Sequence, residues 1–179
     1  MKEALMNNET VKVLMERRSV KKYKSEQIKD EELETIIEGA RYTASGHNYQ
    51  PVKVVVIQDK ATRDQLSQMN AKILGASIDP FYNAPTVLVV IAEKSSPTYI
   101  EDGALVLGNL MNAAHAIGVD SCWINRAKET FETEEGKALL KKWGIEGDYA
   151  GIGNCILGYR DGEYPKAPAR RGEYAVYVK

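Results

Sequence analysis

At 179 residues with 24 Lys and Arg against 25 Asp and Glu, the chain has a formal net charge of -1. That length suits one domain, residues 1–179, with a core that removes roughly 70% of the unfolded surface from water. The near-neutral balance gives no global electrostatic reason to expect a nucleic acid or an anionic membrane as partner. Cys122 and Cys155 each sit in an apolar, strand-like setting. Two buried, reduced thiols are expected there, with a disulfide between them as the lesser alternative. The opening Met1–Asn8 is too polar for a signal-peptide core, and Asn109, Asn112 and His115 interrupt the longest apolar stretch, so a cytoplasmic location without a membrane span is expected.

Thr10 to Arg18 reads as a short amphipathic helix on Val11, Leu14 and Met15, and it delivers Glu16-Arg17-Arg18-Ser19-Val20-Lys21-Lys22-Tyr23-Lys24 to its own end. Arg forks meet phosphate oxygens bidentately and Lys offers a compact charge, so a phosphate is a natural guest. A solvated basic surface is the ordinary reading of such a run. Asp30 is expected to cap a scaffolding helix carrying Leu33, Ile36, Ile37 and Ala40. The loop from Tyr42 to Pro51 crowds Ser45, His47, Asn48 and Gln50 between backbone breakers, and the strand Val52–Ile57 follows at once.

Lys60 to Leu74 has the spacing of one helix or a broken pair, Asp79 to Pro85 breaks it, and Thr86 to Ala92 is a β-branched run of the kind buried on both faces of a sheet. Ile100 to Val119 reads as a long helix apolar nearly all round, which one domain of this size has little material to cover; a second copy of the chain is the economical cover. His115 within it reads as a satisfied core or interface histidine. Gly118 to Ile124 is a short buried strand, and Thr133 and Gly144 bracket a further helix. The Gly151-Ile152-Gly153 motif fails as a dinucleotide fingerprint, because only a loop and a short strand remain after it. Glu173 to Val178 alternates as a closing strand, on its own sheet or a partner's. Metal-ligand spacings and a nucleophile elbow are both missing.

In order, these motifs resemble those of the FMN-dependent nitroreductase family, in its compact form. Arg17-Arg18-Ser19-Val20-Lys21 matches the opening signature, and Ala44 to Val52 approximates the Pro-Ser-x-x-Asn-x-Gln-Pro-Trp loop. Gly118 to Ile124 repeats the Ser-Cys-Trp-Ile strand, and Gly158-Tyr159 with Arg170-Arg171 repeats the closing basic turn. Ala44, Val52 and His47 depart from the pattern, which leaves the substrate open. The resemblance implies an α+β fold, a central mostly antiparallel sheet flanked by helices, and an intertwined homodimer with FMN at the interface.

By that resemblance Arg17, with Arg170 or Arg171, would clamp the phosphate. Arg18 and Ser19 would hold phosphate and ribityl, and Lys21 would sit beside N1 and O2 of the ring and favour its reduction. Ser45, Asn48 and Gln50 would arrive from the other subunit. Asn70 would contact the pyrimidine edge, and Cys122, Trp123 and Ile124 would pass close to the ring. The implied activity is NAD(P)H-dependent reduction of nitroaromatics, quinones or similar acceptors, NADH or NADPH serving as reductant in ping-pong transfer through N5. A specialised flavoprotein (dehalogenation or flavin breakdown) and a non-enzymatic flavin binder are the alternatives.

Overall fold

The computed structural model describes residues 2–179; Met1, which opens the polar N-terminus, lies outside them. In chain order the elements are α1 (Lys2–Met6), α2 (Glu9–Glu16), α3 (Asp30–Arg41), a 3-10 turn (Gly46–Asn48), β1 (Val52–Ile57), α4 (Lys60–Leu74), β2 (Thr86–Glu93), α5 (Tyr99–Ala116), β3 (Asp120–Ile124), α6 (Ala127–Glu132), α7 (Glu134–Lys142) and β4 (Tyr149–Gly158). The four strands form one sheet in the order β1-β2-β4-β3, every neighbouring pair antiparallel. The fold is α+β.

The two-residue period of β2 divides the core. Val87, Val89 and Ile91 face Leu66 and Met69 of α4, Phe131 of α6 and the Leu139–Leu140 pair of α7. Leu88 and Val90 face Leu107, Leu110 and Ala114 of α5 and Ile36 of α3. Thr86 to Ala92 is therefore buried throughout, as a continuous β-branched run requires. The two glycines of the Gly151-Ile152-Gly153 motif serve this packing. A Cβ on Gly151 would lie 2.2 Å from the Ala127 carbonyl oxygen, and one on Gly153 would lie 2.5 Å from Trp123 Nε1.

Several expected boundaries move for local reasons. α2 stops at Glu16, because Arg17 turns to extended backbone (ψ 134°). Asp30 is the first helical residue of α3 and not its cap; Lys29 holds the cap position, its N–H donating to Glu32 Oε2 at 2.9 Å. α5 ends at Ala116, and Gly118 (φ +84°) turns the chain into β3. α6 has no counterpart in the sequence reading. The closing strand does not form within the chain: 172–179 are irregular, and Tyr174 and Tyr177 stand in solvent. α5 is buried along one side only, leaving Ile100 and Leu105 more than half exposed.

Pairing places Cys122 opposite Ile156 and Cys155 opposite Trp123, so the two thiols point to opposite faces of the sheet and both are free. Burial pushes the Cys155 thiol up to about 12. Burial also raises Cys122, partly offset by the Ser19 hydroxyl and the charges of Lys21 and Arg17.

Asp79 organises the break after α4. Its carboxylate accepts from the N–H groups of Phe81 (2.9 Å) and Asn83 (2.6 Å), from Ser67 Oγ and from Arg63. Burial alone would raise its pKa, but these donors outweigh burial and leave it lowered. A carboxyl lowered on folding contributes stability above its unfolded value, and that contribution disappears as pH falls through the folded one.

Asp79→Ala should therefore lower the unfolding free energy in urea by about 3 kcal/mol at pH 7, the deficit shrinking below about pH 3.9; a variant as stable as the parent would contradict the network. Ellman's reagent should find both thiols in guanidinium and react only slowly with either in the folded protein. Rapid native labelling would contradict their burial.

Candidate functional site

The basic stretch is built into the sheet. Beyond α2 the chain is extended: Ser19 bridges Ser121 of β3 in parallel, and the Val20 N–H donates to the Ser121 carbonyl at 3.0 Å. On the other side, the Lys24 N–H donates to the Tyr159 carbonyl at 2.9 Å and the Asp161 N–H to the Lys22 carbonyl at 3.0 Å. Val20 and Tyr23 are buried anchors, and the Tyr23 hydroxyl donates to the Val20 carbonyl at 2.8 Å. With those two side chains held in the core, Lys21 and Lys22 point outward.

The cations then divide. Lys22 pairs with Asp161 at 2.7 Å. The Arg18 guanidinium folds back on its own helix end, donating to the Met15 and Arg17 carbonyls at 2.7 Å each. Arg17 and Lys21 have no acidic partner among the described residues, and Arg17 Nη1 is buried without any hydrogen bond. Ser121 Oγ beside this stretch is likewise buried and unpartnered. Buried donors are almost always satisfied, so these two ask for a ligand.

Next to them runs an open groove between the end of β3, α4 and the turn after Asp79. It collects five of the expected residues, Lys21, Asn70, Cys122, Trp123 and Ile124, together with Tyr82 and Arg126. Asn70 is buried and donates through Nδ2 to the Asn125 carbonyl at 2.8 Å. The Lys21 ammonium lies 5.7 Å from the centre of the Tyr82 ring. Arg17 and Lys21 both act electrostatically on the Cys122 thiol in the groove. Tyr82 (φ 51°) and Arg126 (φ 76°) hold left-handed backbone without being glycine, a mark of constrained sites. Neither was expected from the sequence, where Tyr82 counted only as part of a breaker.

Ser45, Asn48 and Gln50 are gathered elsewhere. The Gln50 N–H donates to Ser45 Oγ at 3.1 Å, and Gln50 Nε2 to Asn48 Oδ1 at 2.8 Å. The buried Asp102 of α5 holds this loop, accepting from the Gly46 N–H (3.0 Å) and Thr98 Oγ1 (2.9 Å). A Cβ on Gly46 would come within 2.3 Å of Thr98 Oγ1, so only glycine allows that approach. The loop precedes β1, whereas the groove lies at β3, the opposite sheet edge. Three strand spacings, about 14 Å, separate those edges, so one chain does not bring the two groups together. Asp102 was also missed, although with Glu101 it makes two acids in the first turn of an otherwise apolar helix, and that is the signal that would have marked it. Arg170 and Arg171 are exposed on the tail, without a hydrogen bond or ion pair among the described residues.

A guanidinium with one buried, unpartnered nitrogen, an ammonium without an acidic partner among the described residues and a slot walled by a tryptophan and a tyrosine form a donor set for an anion attached to a flat ring. The chain matches the family profile described as "Nitroreductase family" over residues 14–81. It is 29% identical over 157 residues to an Archaeoglobus fulgidus protein provisionally named an NADH dehydrogenase/NAD(P)H nitroreductase, covering 84% of this chain and 85% of that one. Its fold matches a Bacteroides fragilis nitroreductase solved with bound FMN (TM-score 0.88, 24% identity, 97% and 100% of the two chains). A Clostridium difficile FMN-dependent nitroreductase is similar at TM-score 0.74 and 26% identity, over 88% and 91% of the chains. By sequence in its first half and by fold along nearly its whole length, the chain is similar to proteins of the nitroreductase family.

Proposed function

We propose that the chain is a cytoplasmic, homodimeric, FMN-dependent oxidoreductase that uses NADH or NADPH to reduce nitroaromatics, quinones or similar acceptors. The observation that carries this reading is the buried, unpartnered Arg17 Nη1 beside a groove that also holds Lys21, Asn70 and Trp123. FMN when bound supplies the hydride chemistry at N5, taking from a reduced nicotinamide and giving to an oxidised acceptor. Arg17 gives the phosphate dianion a charge-assisted donor, and Ser19, exposed on the same extended stretch, adds a hydroxyl. Lys21 places positive charge where the ring system gains negative charge on reduction. Asn70 and the strand Cys122-Trp123-Ile124 orient the ring edge and keep water from one side of it. No side-chain nucleophile is needed, and the raised Cys122 thiol suits a wall residue better than a reactant.

The homodimer supplies what the single chain lacks. Among the described residues β1 pairs only with β2, so its outer edge is a free sheet edge, and the tail Glu173–Val178 alternates as a strand yet joins no sheet. Leu14 and Met15 of α2 and Ile100 and Leu105 of α5 add exposed apolar surface. A partner that covers these faces brings its Ser45, Asn48 and Gln50 loop to the groove, while Arg170 or Arg171 from the tail would join Arg17 at the phosphate.

Two outcomes are expected. Arg17→Ala should weaken FMN binding by about 1.5–3 kcal/mol, about ten- to a hundredfold in Kd, measured by flavin fluorescence during dilution; undiminished retention would remove the phosphate role. Deleting residues 173–179 should shift sedimentation from dimer towards monomer and release flavin with it. A truncated protein that sediments unchanged would remove the tail from the interface.

A further inference from the structure

Tyr164 lies in the irregular segment after β4, and its hydroxyl reaches the backbone on both sides of Arg17. It accepts the Arg18 N–H at 2.8 Å and donates to the Glu16 carbonyl at 3.1 Å. His115 Nδ1 is 3.3 Å from the same oxygen, and the imidazole stacks on the phenol with centroids 5.8 Å apart and planes 10° apart. A phenol oxygen has one proton to give and two lone pairs. All three contacts are satisfied together when Tyr164 donates to Glu16 and accepts from Arg18 and from an Nδ1-protonated His115.

The phenol is itself held in place. The Arg160 guanidinium sits 5.1 Å from the centre of the Tyr164 ring, and Asp120, buried on β3, holds Arg160 at 3.1 Å. Arg18 spends its guanidinium on the Met15 and Arg17 carbonyls, which closes the end of α2. The peptide groups flanking Arg17 are thus pinned from both sides. What remains free is the Arg17 side chain, whose Nη1 is buried and unpartnered.

We propose that Tyr164 is a positioning residue for anion recognition by Arg17. By clamping the Glu16 carbonyl and the Arg18 N–H, it holds Arg17 at the point where the helix gives way to extended chain and keeps its guanidinium directed inward. Phosphate recognition by the N-terminal stretch then depends on a side chain far along the C-terminal segment. This inference rests on the FMN reading given above.

FMN and riboflavin differ by the phosphate alone, so the ratio of their affinities isolates that contact. Fluorescence titrations of the apoprotein with each flavin, for the parent, Tyr164→Phe, Arg17→Ala and the double variant, carry the test. The parent should prefer FMN. Tyr164→Phe should lose at least about threefold of that preference with riboflavin affinity unchanged, and the double variant should be no worse than Arg17→Ala. Unchanged preference in Tyr164→Phe, or an equal loss for both flavins, would overturn the clamp while leaving the FMN reading intact if Arg17→Ala still loses preference. Preference retained in Arg17→Ala would overturn both. Should Tyr164→Phe not fold, Tyr164→Met, which also removes the hydroxyl that makes both clamp hydrogen bonds, carries the same test: lost preference with riboflavin affinity unchanged supports the clamp and retained preference overturns it.

Discussion

The structure depends on the docking of one extended segment, residues 19–24, between the outer edge of β3 and residues 159–161. Without it, β3 would be a bare sheet edge and the cations that follow α2 would be a mobile surface cluster. With it, Val20 and Tyr23 enter the core and fix the azimuth of everything between them. Gly158 makes room, since a Cβ there would lie 2.9 Å from Tyr23 Cδ1. Five cations close together repel one another; burial of a valine and a tyrosine, worth roughly 1.5–3 kcal/mol for a Val-sized side chain, opposes that cost.

Two loops that carry candidate site residues are held by carboxylates. Asp79 gathers the turn that presents Tyr82, and Asp102 gathers the loop that presents Ser45, Asn48 and Gln50. Both turns contain non-glycine residues at positive φ: Tyr82 and Asn83 in one, His47, Asn48 and Gln50 in the other. Such backbone costs on the order of 1–3 kcal/mol per residue and survives only where its surroundings over-determine it. The sheet supplies stability, and the two acids spend part of it on fixing loop shape.

Elements with strong local signals were legible from residues alone. β1 and α4 fall on the expected bounds because a β-branched run and a helical apolar stripe each bury one consistent face. The groove residues Lys21, Asn70, Cys122, Trp123 and Ile124 were named through the family resemblance, and the fold brings them together. Other features were invisible because they depend on contacts distant in sequence. Tyr164 meets Arg18 across 146 positions, and Arg126, in left-handed backbone, sits between Asn125, whose carbonyl Asn70 holds, and the start of α6. α6 is too short for a periodic signal. The tail failed as an intrachain strand because alternation announces a face that wants covering, not where the cover is.

On the proposed reading, a complete site needs residues of two subunits, Arg17 and Lys21 from one and the Ser45–Gln50 loop from the other. Mixed dimers test it most directly. Arg17→Ala chains and chains carrying Ser45→Ala with Gln50→Ala are each expected to hold little flavin as homodimers. Refolded together, they should recover flavin absorbance, because each mixed dimer has one of its two sites intact and the other doubly defective. Absorbance no higher than the average of the two parents would contradict a shared site and place all the ligands within one chain.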